Sequence, residues 1–272
     1  MTDVSAESLS LHPPVISGIT KLYGCIAHPS AHVRAPSIFN PIFRKNGTDA
    51  VMVAATIQMK AGRLLDMGAG VGGISLAIAH RLADAQITAA EIDPVNYALL
   101  SHNIGINQQH ARIRPLRADI LSLPPVMAGS FDHVVSNPPF HHASDAPSRS
   151  RRRTLAHYET DARLGEWVDA GLAALKPKGR LTMIVRADRT DIIMARLRAG
   201  GAGEIVLFPL WSYQTSPAIR MIITARKAVK GAMAVLPGLV LHTPTGTLTH
   251  EAQQVMKGES VQLVHPATTH LS

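Results

Sequence analysis

The segment Ser136-Asn137-Pro138-Pro139-Phe140 is the part of this 272-residue chain best equipped for chemistry. Its two prolines fix the backbone and remove two amide donors, which leaves carbonyl oxygens free to accept hydrogen bonds. The Asn137 side-chain oxygen and the Pro138 carbonyl can together hold both hydrogens of an amino group attached to a ring or a carbonyl. Such a nitrogen is a poor nucleophile because its lone pair is delocalised. Accepting both hydrogens draws it toward tetrahedral geometry and aims the lone pair at an incoming electrophile. Phe140 adds a flat face on which a base or an amide can stack. No strong general base is needed, since the proton can leave after transfer, and proximity supplies much of the rate. Asn137, Pro138, Pro139 and Phe140 are therefore the candidate catalytic residues; an ordinary Asn-Pro turn is the alternative use of the same residues.

A second segment is built for a cofactor. In Leu64-Leu65-Asp66-Met67-Gly68-Ala69-Gly70-Val71-Gly72-Gly73 an apolar strand pattern runs into glycines and then a helix pattern. Glycines let the backbone turn sharply and let a ligand approach the main chain. Gly68, Gly70 and Gly73 satisfy a dinucleotide pattern that is weak evidence alone. Asp66, two residues before Gly68, separates the alternatives. A carboxylate there repels a pyrophosphate but suits S-adenosylmethionine (AdoMet), which carries a sulfonium and an α-amino group and no phosphate. Glu91, about 20 residues further on, stands where a strand-end carboxylate accepts ribose hydroxyls. Ile92 beside it is counted with the cofactor-binding residues, and Asp119 ends a third strand where it can accept from an adenine amino group. Asn137 belongs to the cofactor set as well as the catalytic one. Each carboxylate also has a purely structural use, as a helix cap, an exposed strand end or a turn cap.

After Phe140 come His141 and His142, read as solvated because no third metal ligand is apparent, so no metal is expected. The loop continues with Arg149, Arg151, Arg152 and Arg153, which can grip phosphates beside the catalytic motif or form a solvated charged run.

The elements that must position these groups alternate. Strands are expected at Arg63–Gly68, Gln86–Ile92, Ile113–Asp119, Phe131–Asn137 and Arg180–Arg186. Helices are expected at Thr48–Met59, Gly72–Ala83, from Pro94 to Asn107, at Asp161–Leu175 and at Arg189–Gly200, with Lys176 to Gly179 as a Pro/Gly stop. Two later apolar runs, Gly203–Trp211 and Ala218–Arg226, suit an antiparallel pair at one edge. The alternation implies a mostly parallel sheet with helices on both faces. Residues 1–40 read as an irregular extension, 41–252 as one domain and 253–272 as a tail.

Composition bounds the setting. A hydrophobic fraction of 46% and a charged fraction of 17% exclude a disordered chain. No apolar run approaches the roughly 20 residues that span a bilayer, and the polar start MTDVSAESLSLH is unlike a secretory signal. The single cysteine, Cys25, excludes an internal disulfide. A cytoplasmic protein without membrane contact is expected. The net charge of +8 and isoelectric point near 10.0 favour a polyanionic partner, with RNA the expectation.

The combination Asp-x-Gly-x-Gly, an acidic second-strand end and Asn-Pro-Pro-Phe resembles the class I, Rossmann-like AdoMet-dependent methyltransferases, in particular the small-domain amino-methyltransferases. The resemblance covers about residues 45 to 250 and implies a mostly parallel seven-stranded sheet, bound AdoMet and transfer to an exocyclic amine of adenine or guanine or to a glutamine amide. The sequence is most similar to bacterial tRNA(Val) adenine-N6 methyltransferases. Gly47-Thr48-Asp49-Ala50-Val51 resembles their cofactor-closing segment, which places Thr48 and Asp49 among the cofactor residues. The arginine stretch ending Ala156-His157 and the closing Leu239–His242 and Thr249–Ala252 segments also resemble theirs. Phe140 stands where those enzymes carry tyrosine. Phe followed by His resembles the ribosomal guanine-N2 methyltransferases, so both nucleobases stay open. A glutamine-amide methyltransferase is disfavoured by the basic balance and the arginine run, and an oxidoreductase by Asp66 and the Asn-Pro-Pro-Phe loop. A non-catalytic RNA-binding protein is disfavoured because both motifs are intact.

Overall fold

The computed structural model describes residues 49–138 and 161–263. The elements in chain order are helix α1 (residues 49–55), strand β1 (Gly62–Met67), α2 (Gly73–Arg81), β2 (Ala85–Glu91), α3 (Pro94–Ile106), β3 (Ile113–Arg117), β4 (Phe131–Ser136), α4 (Asp161–Ala174), β5 (Leu175–Arg186), α5 (Thr190–Ala199), β6 (Gly203–Trp211), β7 (Ala218–Arg226), β8 (Ala234–Val235), β9 (Leu239–Val240) and α6 (His250–Met256).

They build one sheet in the order β3-β2-β1-β4-β5-β7-β6-β8, with β9 also on β6. The pairs β1–β2, β2–β3, β1–β4 and β4–β5 are parallel, and β7 lies antiparallel between β5 and β6. This is the Rossmann-like class I methyltransferase arrangement, with seven long strands and two added two-residue strands at the β6 side. The β6–β7 pair forms as expected, but the second member of the pair inserts next to β5, so β6 is the outer of the two.

The central strands are apolar on both sides because both faces are covered. In β1, Leu64 faces the cluster that holds Ala50, Val53, Ile78, Leu100 and Val255. Leu65 and Met67 face the cluster that holds Leu164, Val168, Leu172, Ile193 and Leu197. Helices α1, α2, α3 and α6 therefore share one face, and α4 and α5 the other.

Local signals explain several boundaries. Pro94 opens α3, and Asp93 caps it by accepting from the Val95 and Asn96 amides at 2.9 and 2.8 Å. Helix α1 is shorter than its periodicity predicts: it ends at residue 55, and the Arg81 guanidinium donates to the Ala54 carbonyl and, at 2.7 Å, to the Ile57 carbonyl. The expected stop at Lys176–Gly179 is instead the irregular start of β5. Helix α4 ends at Ala174, and the main chains of Lys178 and Gly179 bond that of Lys227. The boundary expected at residue 252 falls inside α6, and Val255, Met256, Val261 and Leu263 all pack on the core. No helix among the described residues is long and apolar enough to cross a membrane.

Candidate active site

Strand order reverses between β1 and β4, and in open α/β sheets the crevice at the carboxyl ends of such strands is where ligands bind. Register puts the two chemical segments side by side there. Met67, the last residue of β1, pairs with Ser136, the last of β4, so Gly68 and Asn137 leave the sheet together.

The glycine loop is shaped by backbone angles that only glycine adopts easily. Gly68, Gly70 and Gly72 have φ of 70°, 56° and 97°. A Cβ on Gly70 would meet nothing within 4 Å, whereas one on Gly68 would lie 2.9 Å from the Trp167 ring. The loop is thus open to a ligand at Gly70 and closed by α4 at Gly68.

Asp66 is fully buried. Its Oδ2 accepts from the Ser75 amide at 3.1 Å and the Ser75 hydroxyl at 2.7 Å, while Oδ1 has no partner among the described residues. Burial pushes its carboxyl up to about 7, the Ser75 hydrogen bonds oppose that, and the charge of Glu91 adds to it. Glu91 is 7% exposed, and burial raises it too, against hydrogen bonds from Asp93 and Gly70. Its Oε2 accepts from the Gly70 amide at 2.7 Å and its Oε1 from the Asp93 amide at 2.8 Å. Each oxygen keeps a second lone pair for a ligand. Two carboxylates that resist ionisation in a glycine-lined cleft form a site deficient in positive charge. That is the fit expected of a cationic, phosphate-free cofactor such as AdoMet.

Ile92 is half-exposed beside Glu91. Asp119 is exposed and accepts from the Leu121 amide at 2.9 Å through Oδ1, capping a short 3-10 turn. Asp49 sits in the first described turn of α1, where it is buried and ion-paired with Arg220 of β7 at 3.0 Å. Arg220 pairs in register with Arg186 at the carboxyl end of β5, so this ion pair lies at the cleft edge of the sheet.

Asn137 is only partly buried, but its Oδ1 is shielded from solvent and has no partner among the described residues. Pro138 beside it is buried. An acceptor withdrawn from water without a donor is costly unless a ligand supplies one. Thr48, Pro139, Phe140, His141, His142, Arg149, Arg151, Arg152 and Arg153 lie outside the described residues.

Sequence reasoning missed four participants. Ser75 and Asp93, which hold the two carboxylates, carry ordinary helix-start signals that do not name their partners. Arg220 carried a usable signal, since a lone arginine in the apolar strand AIRMIITAR demands a counter-charge. Trp167 carried none.

The comparisons with known proteins agree with this fold. A model of the methyltransferase small domain matches residues 42–191. The chain is 30% identical over 142 residues (52% of this chain, 58% of the relative) to a tRNA1(Val) (adenine(37)-N6)-methyltransferase of Mannheimia succiniciproducens. It is 27% identical over 206 residues (75% and 84%) to the protein of that name in Dyadobacter fermentans, and 36% over 152 residues (53% and 59%) to that of Porphyromonas gingivalis. Over the matched parts the chain spans between 58% and 65% of the length of the first such relatives. A crystal structure of a predicted O-methyltransferase, protein Atu636 of Agrobacterium tumefaciens, superposes with a TM-score of 0.66 at 22% identity, covering 78% of this chain and 97% of that one. At that identity the likeness speaks for the fold.

Proposed function

The chain belongs to the methyltransferase small domain family, and from that premise we propose that it transfers a methyl group from AdoMet to the exocyclic N6 amine of an adenine in tRNA. One observation carries the reading. Asn137 presents a shielded, unpartnered acceptor one residue beyond the register pair that joins the catalytic strand to the glycine loop. The relatives named as tRNA adenine-N6 methyltransferases support the substrate, as do the net charge of +8 and the four arginines Arg149, Arg151, Arg152 and Arg153.

Bound AdoMet supplies an electrophilic methyl group. In this reading Gly70 admits the cofactor against the main chain, Gly68 makes the turn that lets Trp167 pack beneath it, and Glu91 offers its remaining lone pairs to the ribose. Asp66 supplies negative potential from below, Ile92 gives an apolar surface and Asp119 an acceptor at the cleft edge. Thr48 and Asp49 begin the covering segment, with Asp49 anchored by Arg220. Asn137 and the Pro138 carbonyl hold the two amine hydrogens, Pro139 keeps the motif free of a competing donor, and Phe140 stacks on the base. The amine needs no separate base, because its proton becomes acidic as the nitrogen bond forms and can pass to water.

The test is direct. Incubated with labelled AdoMet and, in separate reactions, total bacterial RNA or bacterial protein, the protein should place label in N6-methyladenosine of tRNA, and Asn137→Ala should abolish it. Label in N2-methylguanosine would move the substrate to guanine. Label in protein glutamine alone would remove RNA from the reading.

A further inference from the structure

We propose that Trp167 and Ser136 form a positioning relay that locks the catalytic Asn137 to the glycine loop. The proposal rests on the methyl-transfer reading above. The Trp167 indole N–H donates to the Ser136 hydroxyl at 2.9 Å, and that hydroxyl donates to the Met67 carbonyl at 2.7 Å. The same ring closes over Gly68, where a Cβ would come within 2.9 Å of it. One side chain from α4 therefore touches both segments that carry the chemistry: the first glycine after β1 and the last residue of β4.

The need for such a tie follows from the motif. Pro138 and Pro139 have no amide hydrogens, so the backbone beyond Asn137 cannot be anchored by its own donors. The Asn137 Oδ1 has no protein partner among the described residues to orient it. The direction of its side chain is then set by the backbone that precedes it. Ser136 is fully buried, and its hydroxyl is the last polar group on that strand before Asn137. By bonding Met67 across the register pair, it extends the β1–β4 connection to the rim of the cleft. A lone hydroxyl can rotate among several acceptors. With Trp167 filling one of its acceptor positions, the Ser136 proton is directed to Met67. The relay thus sets the spacing between the loop that would hold the methyl donor and the acceptor that would hold the amine. Small errors in such spacing cost rate more than they cost binding.

The experiment compares Trp167→Phe, Ser136→Ala and the double variant. Trp167→Phe keeps a ring over Gly68 and removes only the donor. Methyl transfer to tRNA is measured with the AdoMet affinity and the melting temperature. The relay requires that each single variant lose about tenfold in kcat, the scale of one directed hydrogen bond, with the affinity for AdoMet changed less than about twofold. It also requires the double variant to be no slower than the slower single one, because both changes open one relay. A packing role would instead lower stability, leave kcat per folded molecule unchanged and make the losses additive, and that result overturns the proposal. A second readout uses the chain's only other tryptophan: in Trp211→Phe, Trp167 is the sole indole, and AdoMet should change its emission. Emission indifferent to saturating AdoMet would separate Trp167 from the cofactor loop and overturn the coupling. A wild-type protein that neither binds AdoMet nor methylates tRNA removes the underlying reading and the relay with it. An active wild type with fully active variants removes the relay alone.

Discussion

Strand β4 and the residue that follows it hold two polar side chains of opposite fate, four residues apart. His133, 3% exposed, has its Nε2 2.9 Å from the Thr182 hydroxyl, and Thr182 donates to Thr224 at 3.1 Å, so the interior of β4, β5 and β7 is crossed by a satisfied chain. Asn137, just past the strand end, keeps a shielded oxygen with no partner among the described residues. Both carry the same desolvation penalty in kind, but among the described residues the first alone is compensated. In the proposed reaction the target amine is the donor that would satisfy the second. The cofactor side repeats the contrast within single carboxylates. Asp66 is satisfied on Oδ2 and open on Oδ1, while Glu91 is held by two amides with lone pairs to spare.

The largest contrast is expected when the two side chains are removed in turn. Asn137→Ala should lower kcat by about a thousandfold or more, on the scale of losing an oriented group at the reacting atom, with AdoMet affinity and melting temperature nearly unchanged. His133→Ala should do the reverse. It removes one of the two partners of the Thr182 hydroxyl and opens a cavity, costing about 2–4 kcal/mol of stability, while turnover per folded molecule is retained. A catalytically competent Asn137→Ala would return that residue to an ordinary turn.

Glu91→Ala should come next. Losing a charged acceptor at the ribose position removes about 1.5–3 kcal/mol of AdoMet binding, or roughly ten- to a hundredfold in the dissociation constant measured by calorimetry. Because Glu91 also holds the Gly70 and Asp93 amides, Glu91→Gln separates the roles. It keeps an acceptor for one amide and loses the charge. Unchanged affinity in both folded variants would leave Glu91 as a loop brace only.

How much of this was legible depends on how local each signal is. The glycine loop, the carboxylates at the ends of β1 and β2, and Pro94 with its capping Asp93 are written within a few residues. So is the Asn-Pro-Pro segment, of which Asn137 and Pro138 are described, and these groups are found at the cleft edge. What was not legible is set by distance along the chain. Asp49 and Arg220 are 171 positions apart, and Trp167 and Ser136 are 31 apart. Nothing in either neighbourhood encodes the meeting. The insertion of β7 between β5 and β6 follows from how the last hairpin folds back, which its apolar runs leave open. Asp66 shows the limit most plainly. Its type and position were readable, but its full burial and its hold on Ser75 come from the packing of α2 on β1.

The smallest expected effect concerns pH, and there two fully buried titrating groups, His133 and Asp66, act with opposite signs. Burial holds the His133 imidazole down to about 3, with the positive charge of Arg180 adding to the effect. The unfolded chain therefore binds the proton more readily between about 6.5 and 3, and stability falls as pH drops through that window. For Asp66, pushed up to about 7 from 3.8, the folded chain binds the proton more readily, so its contribution is fully present below about 4 and is lost as pH rises toward 7. Without ligand the two slopes cancel between about pH 4 and pH 6.5, so the melting temperature should stay level there and decline only below and above that window. A cationic cofactor reverses the upper limb, because it favours the ionised carboxylate. AdoMet binding should release a proton near neutrality and tighten by about tenfold between pH 6 and pH 8, the change in the ionised fraction of a group titrating near 7. In Asp66→Asn the affinity should be weaker at pH 8 and nearly independent of pH. Calorimetry in buffers of different ionisation enthalpy counts the released proton directly. A wild-type affinity that is flat across this range, with no proton released, would mean that Asp66 does not sense the cofactor's charge.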